Sequence, residues 1–166
     1  AEISLEANPV GLDRPLLEDL KRTGITRFSM GVQSLDDEAL SFLGRTHNAA
    51  DAISAFDLAR SLFEHTSLDL IYARPNQTVA SWVAELTAAL ALAPDHLSAY
   101  QLTIEQGTNF GKLHQAGRLN LPEEDVQIGL YDITQSLCHD VGLAAYEVSN
   151  HALSLIHISE PTRRDQ

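Results

Sequence analysis

The side chains with chemistry to offer are polar residues that interrupt or close apolar runs: Glu6, Gln33, Asp69, Gln101 with Thr103, and Glu147 with Asn150. Arg45 joins them from the end of a short segment that follows Gln33. An amide and a guanidinium held near each other suit a carboxylate and sugar hydroxyls, because the guanidinium fork matches a carboxylate bidentately. Taken alone, Gln33 and Arg45 would equally fit a surface amide and a solvated cation. Asp69 is harder to dismiss. It lies inside the apolar run Ser67-Leu-Asp-Leu-Ile-Tyr72, and burying a lone carboxylate is costly unless it finds partners. A carboxylate tied to backbone amides in a turn is the structural alternative.

The element that positions Gln33 is the stretch from Arg27 to Arg45. Phe28-Ser-Met-Gly-Val32 reads as a short buried strand, with Gly31 giving the backbone room near its end. Ser34 is the predicted N-cap of a helix over 35–43, with Asp37 completing a weak capping box. Other elements follow the same local logic. A strand from Ile3 is stopped by Pro9, with Glu6 near its C-terminal end. Asp13 caps a helix carrying Pro15 in its first turn, and Gly24 closes it. Asn48 caps a helix to about Leu62, whose Ala52, Ile53, Phe56, Ala59 and Phe63 recur at helical spacing. Thr78 caps a helix turning Trp82, Val83, Leu86 and Leu90 inward, and a strand follows over 96–103.

Residues 104–121 are polar and contain Gly107, Gly111 and Gly117, so a long loop is expected. Pro122 and the acids Glu123 to Asp125 favour a helix start, with Val126, Leu130, Ile133, Leu137 and Val141 as its core face. Leu143 to Val148 reads as a final strand. Strand–helix alternation of this kind, in units of about 25 to 45 residues, implies a parallel sheet with right-handed crossovers. Ligand chemistry in such sheets sits at the C-terminal strand ends, where the polar residues named above fall in register. No Gly-x-Gly-x-x-Gly opens a helix, so the expected fold is α/β, part of a (β/α) barrel, ahead of a doubly wound sheet.

Composition sets the outer limits. At 166 residues with 44% hydrophobic content, the chain can bury a core. A formal charge of −12 argues against electrostatic binding to nucleic acid or anionic lipid, so no nucleic-acid partner is expected. No apolar run approaches the ~20 residues of a membrane span, and no secretory leader is visible, which makes a cytoplasmic location the default. The one cysteine, Cys138, excludes an internal disulfide and cannot supply the thiolates of an iron–sulfur cluster; no metal ligands are assigned. The final segment from 152 to 166 continues no unit and resembles translated sequencing-adapter read-through; it is expected to be foreign to the fold.

An ordered series of short motifs carries a resemblance over about residues 1–151: Ile3-Ser-Leu-Glu-Ala-Asn-Pro9, Arg27-Phe-Ser-Met-Gly-Val-Gln-Ser34, Leu43-Gly-Arg-Thr-His47, Asp69-Leu-Ile-Tyr72, Pro75-Asn-Gln-Thr78, His96-Leu-Ser-Ala-Tyr100 and Tyr146-Glu-Val-Ser-Asn150. Together they resemble radical S-adenosylmethionine proteins related to oxygen-independent coproporphyrinogen III oxidase, and within them the heme chaperone branch. The resemblance implies a partial barrel, incomplete here at both ends. It implies a [4Fe–4S] cluster on a Cys-x3-Cys-x2-Cys loop whose ligands are absent from this chain, and S-adenosylmethionine cleaved to a 5′-deoxyadenosyl radical. By position, Glu6, Gln33, Arg45 and Asp69 match residues lining the S-adenosylmethionine site, and Thr103 matches one beside the adenine. Heme or a porphyrin would be the further ligand, with a heme-receiving protein as partner; oxidative decarboxylation of coproporphyrinogen III is the alternative function. Arg45 and Arg74 are the two arginines expected near the pocket, a number that suits the two propionates of heme. The sequence departs from the family in Ala73-Arg74, where Gly-Leu is usual, and in Phe63-Glu64, where a glycine usually ends the helix.

Overall fold

The computed structural model describes residues 1–153; the expectation for the foreign tail falls on 154–166, outside the described residues, apart from its first two positions. Four strands run parallel in the order β1 (Ser4–Ala7), β2 (Arg27–Gln33), β3 (His65–Tyr72) and β4 (His96–Gln101). Helices α1 (Arg14–Arg22), α2 (Asp37–Phe42), α3 (Ala49–Leu62) and α4 (Val79–Ala91) connect them. After β4 come α5 (Asn109–Gln115), α6 (Glu124–Asp140), β5 (Ala144–Ala145) and β6 (Asn150–Ala152). Among the described residues β1 is paired on one side only, and the two-residue β5 forms the opposite edge.

The strands alternate between two faces, as the period of two requires. Phe28, Met30 and Val32 of β2, Leu68, Leu70 and Tyr72 of β3, and Leu97 and Ala99 of β4 point into the core against the helices. Ala52, Ala55, Phe56 and Ala59 of α3 and Trp82, Leu86 and Ala89 of α4 cover them, and Phe28 stacks on Phe63 at 5.0 Å. The opposite face carries Glu6, Ser29, Ser67, Asp69, His96 and Ser98, polar side chains brought side by side by the register Glu6↔Ser29↔Ser67↔His96 and Asp69↔Ser98. Asp13, Asn48 and Thr78 cap their helices as expected, the last in a full capping box with Ser81.

Several local expectations are corrected. Ser34 does not cap α2; it is buried, and Asp36 accepts from Glu38 N and Ala39 N instead. The helix is accordingly shorter than 35–43. Phe63 ends α3 in an extended conformation, so no glycine is needed there. The segment 104–121 is not a plain loop: Thr108 caps α5, and Phe110 stacks on Phe42 of α2 at 4.8 Å. Gly111 is no breaker, because a Cβ there would stand 2.3 Å from the Glu105 carbonyl oxygen that the helix passes. In α6 Leu130 is buried and Val126, Ile133 and Leu137 pack on the core as expected, but Val141 is half exposed, and Thr134 and Cys138 are buried as well. Thr134 belongs inside because its hydroxyl accepts the Trp82 indole N–H at 2.8 Å. The final strand is a hairpin: residues 146–149 bend the chain, and β6 lies antiparallel on β4, with Ala152 opposite His96.

Candidate functional site

Asp69 occupies the centre of the polar face. It lies three residues before the end of β3 and pairs in register with Ser98, so it sits on the sheet rather than at its rim. Burial, and then the neighbouring Glu6 carboxylate, push its carboxyl up to about 6, while the adjacent Ser98 hydroxyl pulls the other way. The Glu6 carboxylate on β1 is thus held close enough to disfavour ionisation of Asp69 on β3. Ser98 Oγ donates to Asn150 Oδ1 at 2.7 Å, and the Asn150 amide donates to Glu147. The hairpin therefore delivers Asn150 and Glu147 to the same face, although neither ends a parallel strand.

Gln33 reaches this face by an unusual backbone route. The register of β2 against β3 shifts between Met30 and Gln33, and Gln33 has a φ of 73°, the left-handed region that disfavours a side chain. Its amide folds back over Gly31. A Cβ on Gly31 would lie 3.0 Å from Gln33 Nε2 and 3.4 Å from Asn8 Oδ1. Gly31 thus leaves the space that Gln33 fills. Arg45 follows α2, its backbone N–H bonded to Leu40 O at 2.9 Å. Its guanidinium is half-buried, and the buried Nε has no hydrogen-bond partner among the described residues. No hydrogen bond or ion pair joins it to Glu6, Gln33 or Asp69. His47 fixes this loop by bonding Val32 O through Nε2 at 2.9 Å. Thr103 is exposed just past the end of β4, where Leu102 N bonds Tyr72 O.

Arg74 is not where the sequence suggested. Its side chain is nearly buried and forms an ion pair with Glu85 of α4 at 2.6 Å, while also donating to Ser34 Oγ and Ile71 O. A guanidinium used in this way offers no fork to a ligand propionate, so of the two expected arginines only Arg45 keeps unused donor capacity. Sequence reasoning also missed a chain of hydrogen bonds lower on the polar face. Ser67 Oγ bonds His96 Nδ1 at 2.9 Å, and His96 Nε2 bonds the Tyr146 hydroxyl at 2.5 Å. Burial, then Arg27 and His151, lower His96 to about 4, against the opposing pull of Glu147. The imidazole is neutral and joins the hairpin to β3 and β4. Its partners are 29 and 50 residues away in sequence, and no local pattern announces such pairs.

The Radical SAM superfamily profile matches residues 1–87. The chain belongs to the radical SAM superfamily. Over 153 residues it is 42% identical to mouse radical S-adenosyl methionine domain-containing protein 1, mitochondrial, covering 92% of this chain and 35% of that protein. It is 39% identical over 153 residues to the heme chaperone HemW of Bacillus subtilis, covering 92% and 40%. In three dimensions it resembles the radical SAM coproporphyrinogen III oxidase HemN of Escherichia coli, with a TM-score of 0.80 at 25% identity, over 92% of this chain and 35% of that one. The chain thus spans well under half the length of these relatives. Its mixed α/β architecture with a mostly parallel sheet is that of the radical SAM fold.

Superfamily membership implies S-adenosylmethionine and a [4Fe–4S] cluster. The polar face suits the first, since acceptors at Glu6 and Asp69 and an amide at Gln33 match hydroxyls and an ammonium group, and Arg45, just past α2, keeps an orphaned buried donor at Nε of the kind a carboxylate takes. The residues do not suit the second. Cys138 is the chain's one cysteine, buried on α6, and burial pushes its thiol up to about 12. Among the described residues no group of three or more His, Cys, Asp or Glu is placed to hold a metal ion. No helix among them is long and apolar enough to cross a membrane.

Proposed function

We propose that residues 1–151 are the middle and later part of the barrel of a longer heme chaperone, that 152–166 are largely foreign to it, and that the polar face binds S-adenosylmethionine. The observation that carries this reading is the juxtaposition of Asp69, Glu6 and the folded Gln33 amide on one face of a parallel sheet. Glu6 and Asp69 accept from ribose hydroxyls or the ammonium group, Gln33 donates to the same region, Arg45 pairs with the methionine carboxylate, and Thr103 borders the adenine. When bound beside a reduced cluster, S-adenosylmethionine supplies a 5′-deoxyadenosyl radical; this chain's residues only bind and orient it, because the cluster ligands lie elsewhere.

Heme enters through the relatives named heme chaperone HemW, with which about two-fifths of residues in the shared region are identical. With Arg74 locked on Glu85 and Arg45 assigned to the methionine carboxylate, the arginines do not separate heme from coproporphyrinogen III, and the preference for heme rests on those relatives. A cytoplasmic protein that passes heme to an acceptor protein fits this reading. The test is anaerobic titration of a full-length protein carrying this sequence with heme and with S-adenosylmethionine, alongside an assay with coproporphyrinogen III. Stable heme binding with slow or no protoporphyrinogen IX formation is expected. Rapid turnover without stable heme binding would make it an oxidase.

A further inference from the structure

Gln33 and Ala73 are non-glycine residues in the left-handed region, at φ 73° and 59°, at or just past the ends of the adjacent strands β2 and β3. Each is followed by a member of one buried network. Ser34, next to Gln33, donates to Glu85 Oε1, and Leu35 N donates to the same oxygen at 2.9 Å. Arg74, next to Ala73, donates through one terminal nitrogen to Ser34 Oγ at 2.8 Å, Ile71 O at 3.2 Å and Glu85 Oε1 at 3.1 Å. Its other terminal nitrogen donates to Glu85 Oε2 at 2.6 Å. The Arg74 and Glu85 side chains are only 9% and 8% exposed. One carboxylate of α4 therefore gathers the chain just beyond two strained residues.

A buried ion pair is poor at stabilising a fold, since well-packed apolar residues in its place are often neutral or better. Its strength lies in fixing geometry. Beyond the two bonds within the pair, four end on Ser34, Leu35 or Ile71, and what they fix is the direction in which the chain leaves β2. That direction sets where Gln33 carries its amide.

We propose that Arg74 and Glu85 are positioning residues that act through Ser34 to hold the strained Gln33 backbone, so that the Gln33 amide is presented over Gly31 to the ligand. This rests on the reading that the polar face binds S-adenosylmethionine. The clamp lies behind the site and does not touch the ligand; it removes the freedom of the one site residue whose backbone is least comfortable. Arg74 is thereby explained as a device tuned to this chain, in place of the leucine expected from the family pattern.

The test uses the full-length protein and the dissociation constant for S-adenosylmethionine, measured by equilibrium dialysis without turnover. The Arg74→Leu/Glu85→Leu double variant strands no charge and is expected to keep its melting temperature within a few degrees while binding about tenfold more weakly. Gln33→Ala is expected to weaken binding by a similar factor. Adding the leucine pair to Gln33→Ala should cost nothing further, because the clamp works through that side chain. Should the double leucine variant fold poorly, Arg74→Met/Glu85→Gln serves instead: it also strands no charge, keeps an acceptor for Ser34 and Leu35, and should show a smaller loss, again absent in the Gln33→Ala background. Unchanged affinity in the clamp variants, or a loss fully additive with Gln33→Ala, overturns the proposal. If Gln33→Ala itself binds normally, the assignment of Gln33 to the ligand fails, and the clamp's role falls with it; that outcome is recognised by the single variant alone.

Discussion

Replacing Asp69 with asparagine should make the protein more stable at neutral pH, and the effect should vanish in acid. The folded-state carboxyl titrates at about 6 against an ordinary value of 3.8, with burial the main cause and Glu6 the second. A folded pKa above the unfolded one means that the native state holds the proton more tightly. Below 3.8 both states are protonated, and the aspartate costs nothing. As pH rises towards 6 the penalty of ionising it in place grows, and above that it is constant. Two pH units correspond to about 3 kcal/mol, reduced to about 2 by water reaching a half-buried group. Asparagine keeps the size of the side chain beside Ser98 and carries no charge to desolvate. Urea unfolding of the 166-residue chain and its Asp69→Asn variant at pH 7.5 and pH 4 measures both sides of the comparison. The expected result is a gain of about 2 kcal/mol at pH 7.5, shrinking to about 0.5 kcal/mol or less at pH 4. Equal stabilities at both pH values, or a gain of the same size at both, would refute the electrostatic account. A Glu6→Gln control should lower the Asp69 titration, because it deletes the second cause. Stability gained by removing a site carboxylate is the expected trade between function and fold.

Three further outcomes test other parts of the structure. Gly31→Ala should displace the Gln33 amide that lies 3.0 Å from the new Cβ and weaken S-adenosylmethionine binding by the full-length protein about tenfold, read by equilibrium dialysis, with little change in melting temperature. Thr134→Val keeps the shape of the side chain but leaves the Trp82 indole N–H without its acceptor, costing about 1 to 3 kcal/mol in urea unfolding. Cys138 should react with a thiol reagent at pH 8 only after denaturation, and anaerobic reconstitution of this chain should retain no stoichiometric iron or sulfide.

Much of this was legible in residues close together in sequence. Asp13, Asn48 and Thr78 cap helices because an Asx or Thr side chain needs only the amides two or three residues on. The acid in β3 was suspect because alternation alone placed it among apolar neighbours. What sequence could not show are the pairings made at a distance. Ser34 looks like a cap by local rules, yet a carboxylate 51 residues away claims its hydroxyl. Arg74 looks like a ligand for propionates until the same carboxylate claims it. The last strand reads as one more parallel unit, and its reversal depends on bonds such as Ala99 N to Ser149 O that no periodicity encodes. α5 was hidden by its glycines, one of which is there to let a carbonyl pass.

The two edges of the sheet are not alike, and this governs how copies of the chain can meet. At one side β5 is two residues long and leads straight into the bend at 146–149, too short to template another strand. At the other, β1 offers four residues of main chain paired on one side only. Among the described residues, β1 is the edge that main-chain pairing between two copies of this chain would use. Such a contact is isologous: it joins the same edge to itself about a two-fold axis.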